Sequence, residues 1–113
     1  MNGGDTIVMT VNATSANSGT ASMENLTTGA KVNTPFDNMS ESLCLTDAEW
    51  IIELGGGAQS LANFGTWTFS QASASGSSGT VSPAGSTIYN IASNGQTITD
   101  CSASDSGVTC QYE

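Results

Sequence analysis

Apolar and polar residues alternate along several short stretches of the chain. Across residues 7–13 the odd positions are apolar and the even ones polar, with Val8 as the exception. Since successive side chains of a strand point to opposite faces, this period of two predicts a strand with one buried face. A second clean alternation at 66–70 predicts another strand, with Trp67 and Phe69 pointing inward.

Turn residues separate the alternating stretches. The segment 16–19 predicts a turn, and Gly29 can supply the positive φ of a three-residue hairpin loop between strands at 20–26 and 30–36. The Ser/Gly/Ala-rich segment 71–85 is too poor in apolar residues to pack by itself, so it predicts a loop. Several short strands separated by such turns predict an all-β fold, an antiparallel β-sandwich. Five apolar residues mark its last strands: Ile88, Ile91, Ile98, Val108 and Tyr112.

The run from Cys44 to Glu53 combines the strand pattern with three carboxylates. Trp50 and the apolar residues two positions to either side of it would face a core. The opposite face would hold Asp47, Glu49 and Glu53. A helix is disfavoured because Glu49 and Glu53 would be like charges four residues apart. The run therefore predicts a strand with an acidic face.

The composition is strongly acidic, since ten Asp and Glu, one basic residue (Lys31) and no His give a net charge of −9. Nucleic acid is excluded as a partner, because binding it depends on Lys and Arg side chains that neutralise phosphates. A metal site has little support without His, and no apolar run approaches the roughly 18 residues of a membrane span. Self-repulsion grows as pH rises, which favours an acidic extracellular medium.

Three cysteines add a covalent constraint. Cys101 and Cys110 flank the turn-rich segment 103–107, so they are expected to face each other across a hairpin. A disulfide that closes so short a loop stabilises the fold by about 2.5–3 kcal/mol. Cys44 is then left over, either as a buried free thiol or as a partner in an intermolecular disulfide.

Three Asn-x-Ser/Thr triplets point to secretion. Asn12, Asn25 and Asn38 each begin such a triplet, the acceptor site of N-linked glycans. Chance supplies these triplets easily in a chain rich in Ser, Thr and Asn, so they are weak support. Together with the acidic composition they predict a secreted, extracellular protein.

Four segments together resemble the glutamic peptidases, or eqolisins. Residues 19–30 read Gly-Thr-Ala-Ser-Met-Glu-Asn-Leu-Thr-Thr-Gly-Ala, where the family has a similar Gly-Ser-Ala-Thr-x-Glu-Asn-Leu-Thr-Thr-Gly-Gln. Residues 43–53 are similar to the family's Leu-Cys-x-Thr-Asn-Ala-Glu-(aromatic)-Ile-(Ile/Val)-Glu, with Asp47 in place of Asn. Residues 62–69 and 99–112 are similar to its later strands. The resemblance extends over nearly the whole chain.

The resemblance implies which residue is catalytic. Eqolisins use a Glu and a Gln, and the Glu that closes the acidic motif matches Glu53. The Gln belongs to an Ile-Leu-Gln-Thr-Gly segment in the N-terminal half of the family, and this chain has no such segment. Residues 1–113 are therefore expected to form a single domain, the C-terminal half of an eqolisin sandwich. The chain's own glutamines stand in other contexts: Gln59, Gln71, Gln96 and Gln111.

The resemblance also implies a fold and a reaction. The fold is a lectin-like (concanavalin-like) jelly roll, here incomplete, and the reaction is acid hydrolysis of protein or peptide substrates by an activated water, without a metal or cofactor. Glu53 would act as general base toward the water and then as acid toward the leaving amine. The Gln amide would hold the water and stabilise the oxyanion. This chain alone is therefore expected to be a weak or inactive glutamic endopeptidase, with its substrate-binding residues unassigned.

Two kinds of partner follow from an incomplete fold. In the family, the cysteine that matches Cys44 pairs with one in the N-terminal half, so the resemblance implies an N-terminal partner chain. Strands left unpaired at the edges of a sheet also recruit other strands, so self-association through exposed strands is the second expectation.

A different class stays open, a non-catalytic lectin-like module that binds carbohydrate or is purely structural. Glu49 and Glu53 would lie about 13 Å apart along an extended strand, beyond the roughly 5–9.5 Å of glycosidase carboxylate pairs. Asp47 and Glu49, about 6.6 Å apart, are not excluded. Trp50 and Trp67 could stack on sugars, although their alternating patterns favour core positions. Cleavage of denatured protein, as against binding of polysaccharide, separates the two classes.

Overall fold

Antiparallel strands make up all the regular structure of the described chain. The structure, a computed structural model, describes residues 1–55 and 60–113, and these contain ten strands and no helix. Every strand pair is antiparallel, which confirms the predicted all-β class. Nothing in these two ranges is a helix that could span a membrane. The strands are β1 (Ile7–Ser15), β2 (Ser18–Asn25), β3 (Lys31–Phe36), β4 (Thr66–Ser70), β5 (Ala74–Gly76), β6 (Gly79–Val81), β7 (Ala92–Ser93), β8 (Gln96–Thr97), β9 (Thr99–Ser104) and β10 (Gly107–Tyr112).

The chain divides into two compact units, Met1–Asp47 and Ala48–Glu113. The first unit holds one sheet with the strand order β1-β2-β3, and the second holds a sheet with the order β4-β10-β9. Two small hairpins, β5-β6 and β7-β8, also belong to the second unit. The assignment of residues 1–113 to a single domain stays a prediction.

The first sheet follows the sequence prediction closely. β1 and β2 are joined by a turn at 16–17, inside the predicted turn segment. Gly29 has a φ of 75° in the loop before β3, which is the left-handed conformation predicted for it. Gly19 is required in β2, because a Cβ at this position would clash with the Asn12 carbonyl oxygen and the Phe36 ring. The three predicted strands of this unit are therefore confirmed.

The core of the second unit lies on one face of its three-stranded sheet. Val108 and Cys110, two residues apart in β10, are 6% and 4% exposed. Cys110 lies opposite Cys101 of β9 in the register of the two strands. Thr99 is also buried, and its hydroxyl accepts a hydrogen bond of 2.8 Å from the Ile91 backbone N–H. This bond ties the segment before β7 to the sheet.

Trp67 points to the same face of the sheet as Cys110, its partner in β10, but it is not buried there, so its predicted place in the core is wrong. The residue is 55% exposed, whereas Phe69, two residues later, is half-buried. β4 is the edge strand in the order β4-β10-β9, so no neighbouring strand covers the outer side of a large ring on it. The Trp67 ring meets the Phe69 ring edge-on, with the ring centroids 6.3 Å apart.

The predicted acidic strand does not form either. The described residues between β3 and β4 make no strand. A strand needs a neighbour that exchanges backbone hydrogen bonds with it, and no described strand pairs with this run. Burial still alternates over three residues of this run, since Trp50 and Ile52 are half-buried while Ile51 is 55% exposed.

Two short hairpins of the second unit were not predicted. β5 and β6 lie inside the supposed loop at 71–85, where the Ser75 and Thr80 hydroxyls are hydrogen-bonded at 2.8 Å. This hairpin satisfies backbone groups with little apolar burial, so hydrophobic patterning does not reveal it. The β7-β8 hairpin turns at Asn94 and Gly95, whose φ values of 51° and 79° fit the type I′ turn that Asn-Gly favours.

Candidate active site

Glu53, the predicted catalytic residue, lies in the second unit in the connection that precedes β4. Its side chain is exposed, and it makes no hydrogen bond or ion pair with any other described residue. Half-buried Ile52 comes before it, and Leu54 after it lines a pocket. The carboxylate therefore lies between a half-buried residue and a residue that lines the pocket.

Leu54 forms part of the wall of a pocket of about 340 Å³ within the second unit. This volume lies in the range of about 300–1,000 Å³ that small-molecule sites occupy. No described carboxylate or ammonium group lines it, so it is suited to an apolar side chain rather than a charged one. The apolar wall consists of Leu54, Leu61, Ile91, Ala92 and Ile98. The remaining lining residues are Ser60, Ser93, Asn94, Gln96 and Tyr112.

Hydrogen bonds and an aromatic contact fix part of the pocket wall. The Ile98 N–H donates to the Ile91 carbonyl at 2.8 Å, and the Tyr112 ring packs edge-on against Phe64 with centroids 5.9 Å apart. Ile91 and Ile98 flank the β7-β8 hairpin instead of lying in strands as predicted, and Ile88 also lies outside the strands. Because the strands of the hairpin are only two residues long, Ile91 and Ile98 are left to line the pocket.

The other carboxylates of the acidic run have different surroundings. Asp47 is the last residue of the first unit, and its side chain accepts a hydrogen bond of 2.6 Å from the Thr46 hydroxyl. Glu49 is exposed in the second unit. Within residues 1–55 and 60–113, no three His, Cys, Asp or Glu side chains lie close enough together to hold a metal ion.

The glutamines of the chain lie in unrelated places. Gln96 lines the same pocket as Leu54, Gln111 lies in β10, and Gln71 follows β4 with a φ of 56°. Gln59 lies outside the described residues. Among the described glutamines, Gln96 therefore lines the same pocket as Leu54, the residue that follows Glu53. The sequence around Gln96 did not indicate this.

Two of the three cysteines form the disulfide that the hairpin spacing predicted. A disulfide joins Cys101 to Cys110 across β9 and β10, where their Cα atoms are 4.1 Å apart. Cys44 is free and exposed, so the expectation of a buried thiol is wrong, because the run around it does not form a core strand. A hydrogen bond with the Thr46 side chain lowers the pKa of the Cys44 thiol.

The three glycosylation candidates differ sharply in environment. Asn12 in β1 and Asn38 after β3 are exposed. Asn25 is 9% exposed, and its amide donates a 2.8 Å hydrogen bond to the Asp5 carboxylate. The side-chain carbonyl oxygen of Asn25 accepts two further hydrogen bonds, from the backbone N–H groups of Thr27 at 2.9 Å and Thr28 at 3.1 Å. The nitrogen that a glycan would modify is the atom that is hydrogen-bonded to Asp5, so we infer that Asn25 stabilises the β2-β3 loop instead.

Comparison with known proteins identifies relatives along nearly the whole chain. The Peptidase A4 family model matches residues 1–112. Aspergillopepsin-2 from Aspergillus niger is 42% identical over 113 residues, covering 96% of this chain and 40% of that protein. Scytalidopepsin B from Scytalidium lignicola is 40% identical over 120 residues, covering 96% of this chain and 46% of that protein. The chain thus spans less than half the length of these curated relatives.

Solved structures give the same result. Aspergilloglutamic peptidase from Aspergillus niger matches with a TM-score of 0.79 and 41% identity, over 100% of this chain and 69% of that one. Scytalido-glutamic peptidase, solved with a transition state analog inhibitor, matches with a TM-score of 0.71 and 38% identity, over 97% and 59% of the two chains. An eqolisin solved with the tripeptide Ala-Ile-His has a TM-score of 0.68 and 35% identity, over 100% and 62%.

These structural neighbours are β-sandwiches, which agrees with the predicted fold class, whereas the jelly-roll strand order stays a prediction. The match of the family model to residues 1–112 and the identity of about two residues in five to its members lead to one conclusion. The chain belongs to the Peptidase A4 family, the eqolisins or glutamic peptidases.

Proposed function

We propose that this chain is the Glu-bearing half of a secreted glutamic endopeptidase that works in acid. Family membership supports a peptidase, and the acidic composition with almost no cations supports an acidic extracellular medium. The observation that supports Glu53 as the base is its exposed, unpaired carboxylate, which adjoins a pocket residue and closes the acidic motif. The catalytic Gln comes from an N-terminal half that supplies the segment missing from this sequence.

The mechanism is hydrolysis by an activated water. The Glu53 carboxylate takes a proton from a water molecule as the water oxygen attacks the scissile carbonyl. The Gln amide of the other half donates a hydrogen bond to the oxyanion that develops there. Glu53 then gives its proton to the leaving amine, the C–N bond breaks, and the products are a carboxylic acid and an amine. A carboxylate base of this kind is suited to acidic solution.

The substrate is a polypeptide, and the pocket beside Leu54 takes one of its apolar side chains. The lining of the pocket offers apolar groups from Leu61, Ile91 and Ile98, together with polar groups that suit a peptide backbone. The relative solved with Ala-Ile-His, a peptide with a central apolar residue, supports the same class of ligand.

An acid peptidase assay tests the proposal. The chain alone is expected to cleave denatured casein at about pH 3.5 very slowly or not at all, because Glu53 lacks the Gln amide. Adding the part of aspergillopepsin-2 that precedes the matched region is expected to restore cleavage. Continued inactivity of the mixture, once it forms a complex, would contradict the assignment of halves. Robust cleavage by the chain alone would also contradict it, and Gln96 would then be the first residue to substitute.

The exposure of one aromatic residue favours a second candidate, a carbohydrate-binding module. Trp67 is 55% exposed on an edge strand, so its ring is available to stack on a sugar. Sedimentation of the chain with insoluble polysaccharides tests this function. Retention that is lost in Trp67→Ala, with no peptidase activity in the mixture described above, would favour the module over the peptidase.

A further inference from the structure

The turn of the β7-β8 hairpin consists of Asn94 and Gly95, an asparagine followed directly by a glycine. Both residues are exposed, and both have the positive φ of the left-handed region. A Cβ built on Gly95 would have no other atom within 4 Å, so the space around this part of the backbone is open. Asn94 also lines the pocket beside Leu54. An asparagine of the pocket lining therefore precedes an unhindered backbone nitrogen.

An asparagine side chain can react with the backbone nitrogen of the residue that follows it. The Gly95 nitrogen attacks the Cγ atom of Asn94 and loses its proton to a base from the solvent. The bond from Cγ to the side-chain nitrogen breaks, ammonia leaves, and a succinimide ring forms. Water then opens the ring at either of its carbonyl carbons, so the product is Asp or isoaspartate. Glycine favours this reaction, because it has no side chain to block the attack.

Hydrogen bonds distinguish Asn94 from other asparagines of the chain. The side-chain oxygens of Asn25, Asn63 and Asn90 accept hydrogen bonds from backbone N–H groups. Within residues 1–55 and 60–113, no hydrogen bond holds the Asn94 side chain or the Gly95 N–H. Both reacting groups are therefore available without the loss of a hydrogen bond.

The turn has to open before the ring closes, because the attack changes backbone torsions that the folded hairpin fixes. Each strand of the hairpin is two residues long, and all of residues 92–97 are exposed. Segments with few buried apolar contacts open locally at a low cost in free energy. The β7-β8 hairpin is therefore expected to allow the reaction in the native protein.

We propose that Asn94 is a site of spontaneous deamidation, which replaces a neutral amide of the pocket lining with a carboxylate. No described charged group otherwise lines this pocket. The new carboxylate is ionised in neutral solution, because the reference pKa of Asp is about 3.9. The isoaspartate product also lengthens the main chain of the turn by a carbon atom, which displaces the hairpin between Ile91 and Ile98.

The reaction is slow in acid, because the base that takes the proton of the Gly95 nitrogen is scarce there. An acidic medium therefore protects Asn94, whereas neutral solution allows it to deamidate. This protection matters to the protein only if the proposed function holds. Deamidation itself is independent of that function, since it is measured on the mass of the chain and proceeds in a chain without peptidase activity.

Incubation of the full chain in warm neutral buffer made with heavy-oxygen water, followed by peptide mapping in a mass spectrometer, tests the proposal. Residue 94 is expected to become a mixture of isoaspartate and Asp, and each product should carry an oxygen atom from the labelled water. The same chain kept in acidic buffer should retain its amide over the same time.

Two asparagines of the same chain are matched controls. Asn2 also precedes a glycine but lies ahead of β1, and Asn38 is exposed with a φ of 53°, close to the 51° of Asn94, but precedes Met39. Asn94 should react at least about tenfold faster than Asn38, because the Met39 side chain hinders attack. It should react no more than about a hundredfold more slowly than Asn2, since only the short hairpin has to open.

The variant Gly95→Ala separates the chemistry of the dipeptide from the opening of the turn. Its methyl group hinders the attack, whereas the φ of 79° strains an alanine and favours opening. Deamidation of Asn94 should therefore slow at least about tenfold although the hairpin is weaker, and the rate at Asn2 should not change.

Three results would overturn the proposal. The first is an Asn94 that is still an amide once Asn2 is largely converted. The second is a rate at Asn94 that equals the rate at Asn38, or that Gly95→Ala leaves unchanged. The third is Asp without isoaspartate at residue 94, because direct hydrolysis would then be the reaction and the Gly95 nitrogen would have no part in it.

Discussion

At the scale of single residues, the motif that begins at Asn25 can be interpreted in two ways. The triplet is a glycosylation motif, yet the Asn25 amide bonds to Asp5 and its carbonyl oxygen caps two backbone N–H groups in the β2-β3 loop. Buried polar groups of this kind are costly to leave unpaired. The sequence pattern cannot distinguish the two roles, because both need the same residue types at the same spacing.

Replacement of Asn25 by Ala is expected to lower the free energy of unfolding by about 2–3 kcal/mol, because it removes three hydrogen bonds, one to the Asp5 carboxylate and two from loop N–H groups. Urea unfolding followed by circular dichroism measures the change. Asn12→Ala is the control, since Asn12 is exposed in β1, and it should stay within about 0.5 kcal/mol of the wild type. Equal effects of the two substitutions would show that the Asn25 hydrogen bonds do not stabilise the loop.

Cys44 is expected to react faster at neutral pH than an unperturbed exposed thiol. The Thr46 hydrogen bond lowers the thiol pKa, so a larger fraction is thiolate, the reactive form, at pH values below the ordinary thiol pKa. Thr46→Val should shift the pH profile of alkylation by iodoacetamide to higher pH and slow the reaction near neutrality. Superimposable profiles for the two proteins would remove Thr46 as the cause.

At the scale of elements, local rules predicted the hairpins of the first unit but not the acidic run. Turn residues, together with the period of two in β1 that only Val8 breaks, were sufficient for β1, β2 and β3, because each strand pairs with the next one in the chain. The run that includes Glu49 and Glu53 has the same period, yet the described structure gives it no partner strand. The predicted burial of Trp67 was wrong for a related reason, since the sequence does not reveal that β4 is an edge strand.

The β9-β10 hairpin is expected to depend on its disulfide. Replacing Cys101 and Cys110 by Ala should lower the free energy of unfolding by about 2–3 kcal/mol, because the loop of the unfolded chain is no longer closed. Urea unfolding is again the measurement. Cys44→Ala, which removes an exposed free thiol, should change stability by less than about 0.5 kcal/mol. A double variant as stable as Cys44→Ala would mean that the bridge adds nothing to the fold.

At the scale of the whole molecule, the chain has an eqolisin sequence and less than half of an eqolisin's length. Family, strand class and disulfide all follow from local motifs, and sequence was sufficient to predict them. The pocket was not predictable, because the β7-β8 hairpin, and not any period along the chain, brings Ile91 and Ile98 together in its wall. The catalytic role proposed for Glu53 needs a Gln in an Ile-Leu-Gln-Thr-Gly context, which this sequence does not contain.

The most direct test of the central claim uses the enzyme restored by the preceding part of aspergillopepsin-2. Glu53→Gln keeps the shape of the side chain but removes the base, so cleavage of denatured casein at about pH 3.5 should fall at least about a thousandfold while the complex still forms. Glu49→Gln, the matched control four residues earlier, should retain activity within about tenfold. If Glu49→Gln abolishes cleavage and Glu53→Gln leaves it intact, Glu53 is not the base and the proposed mechanism is wrong.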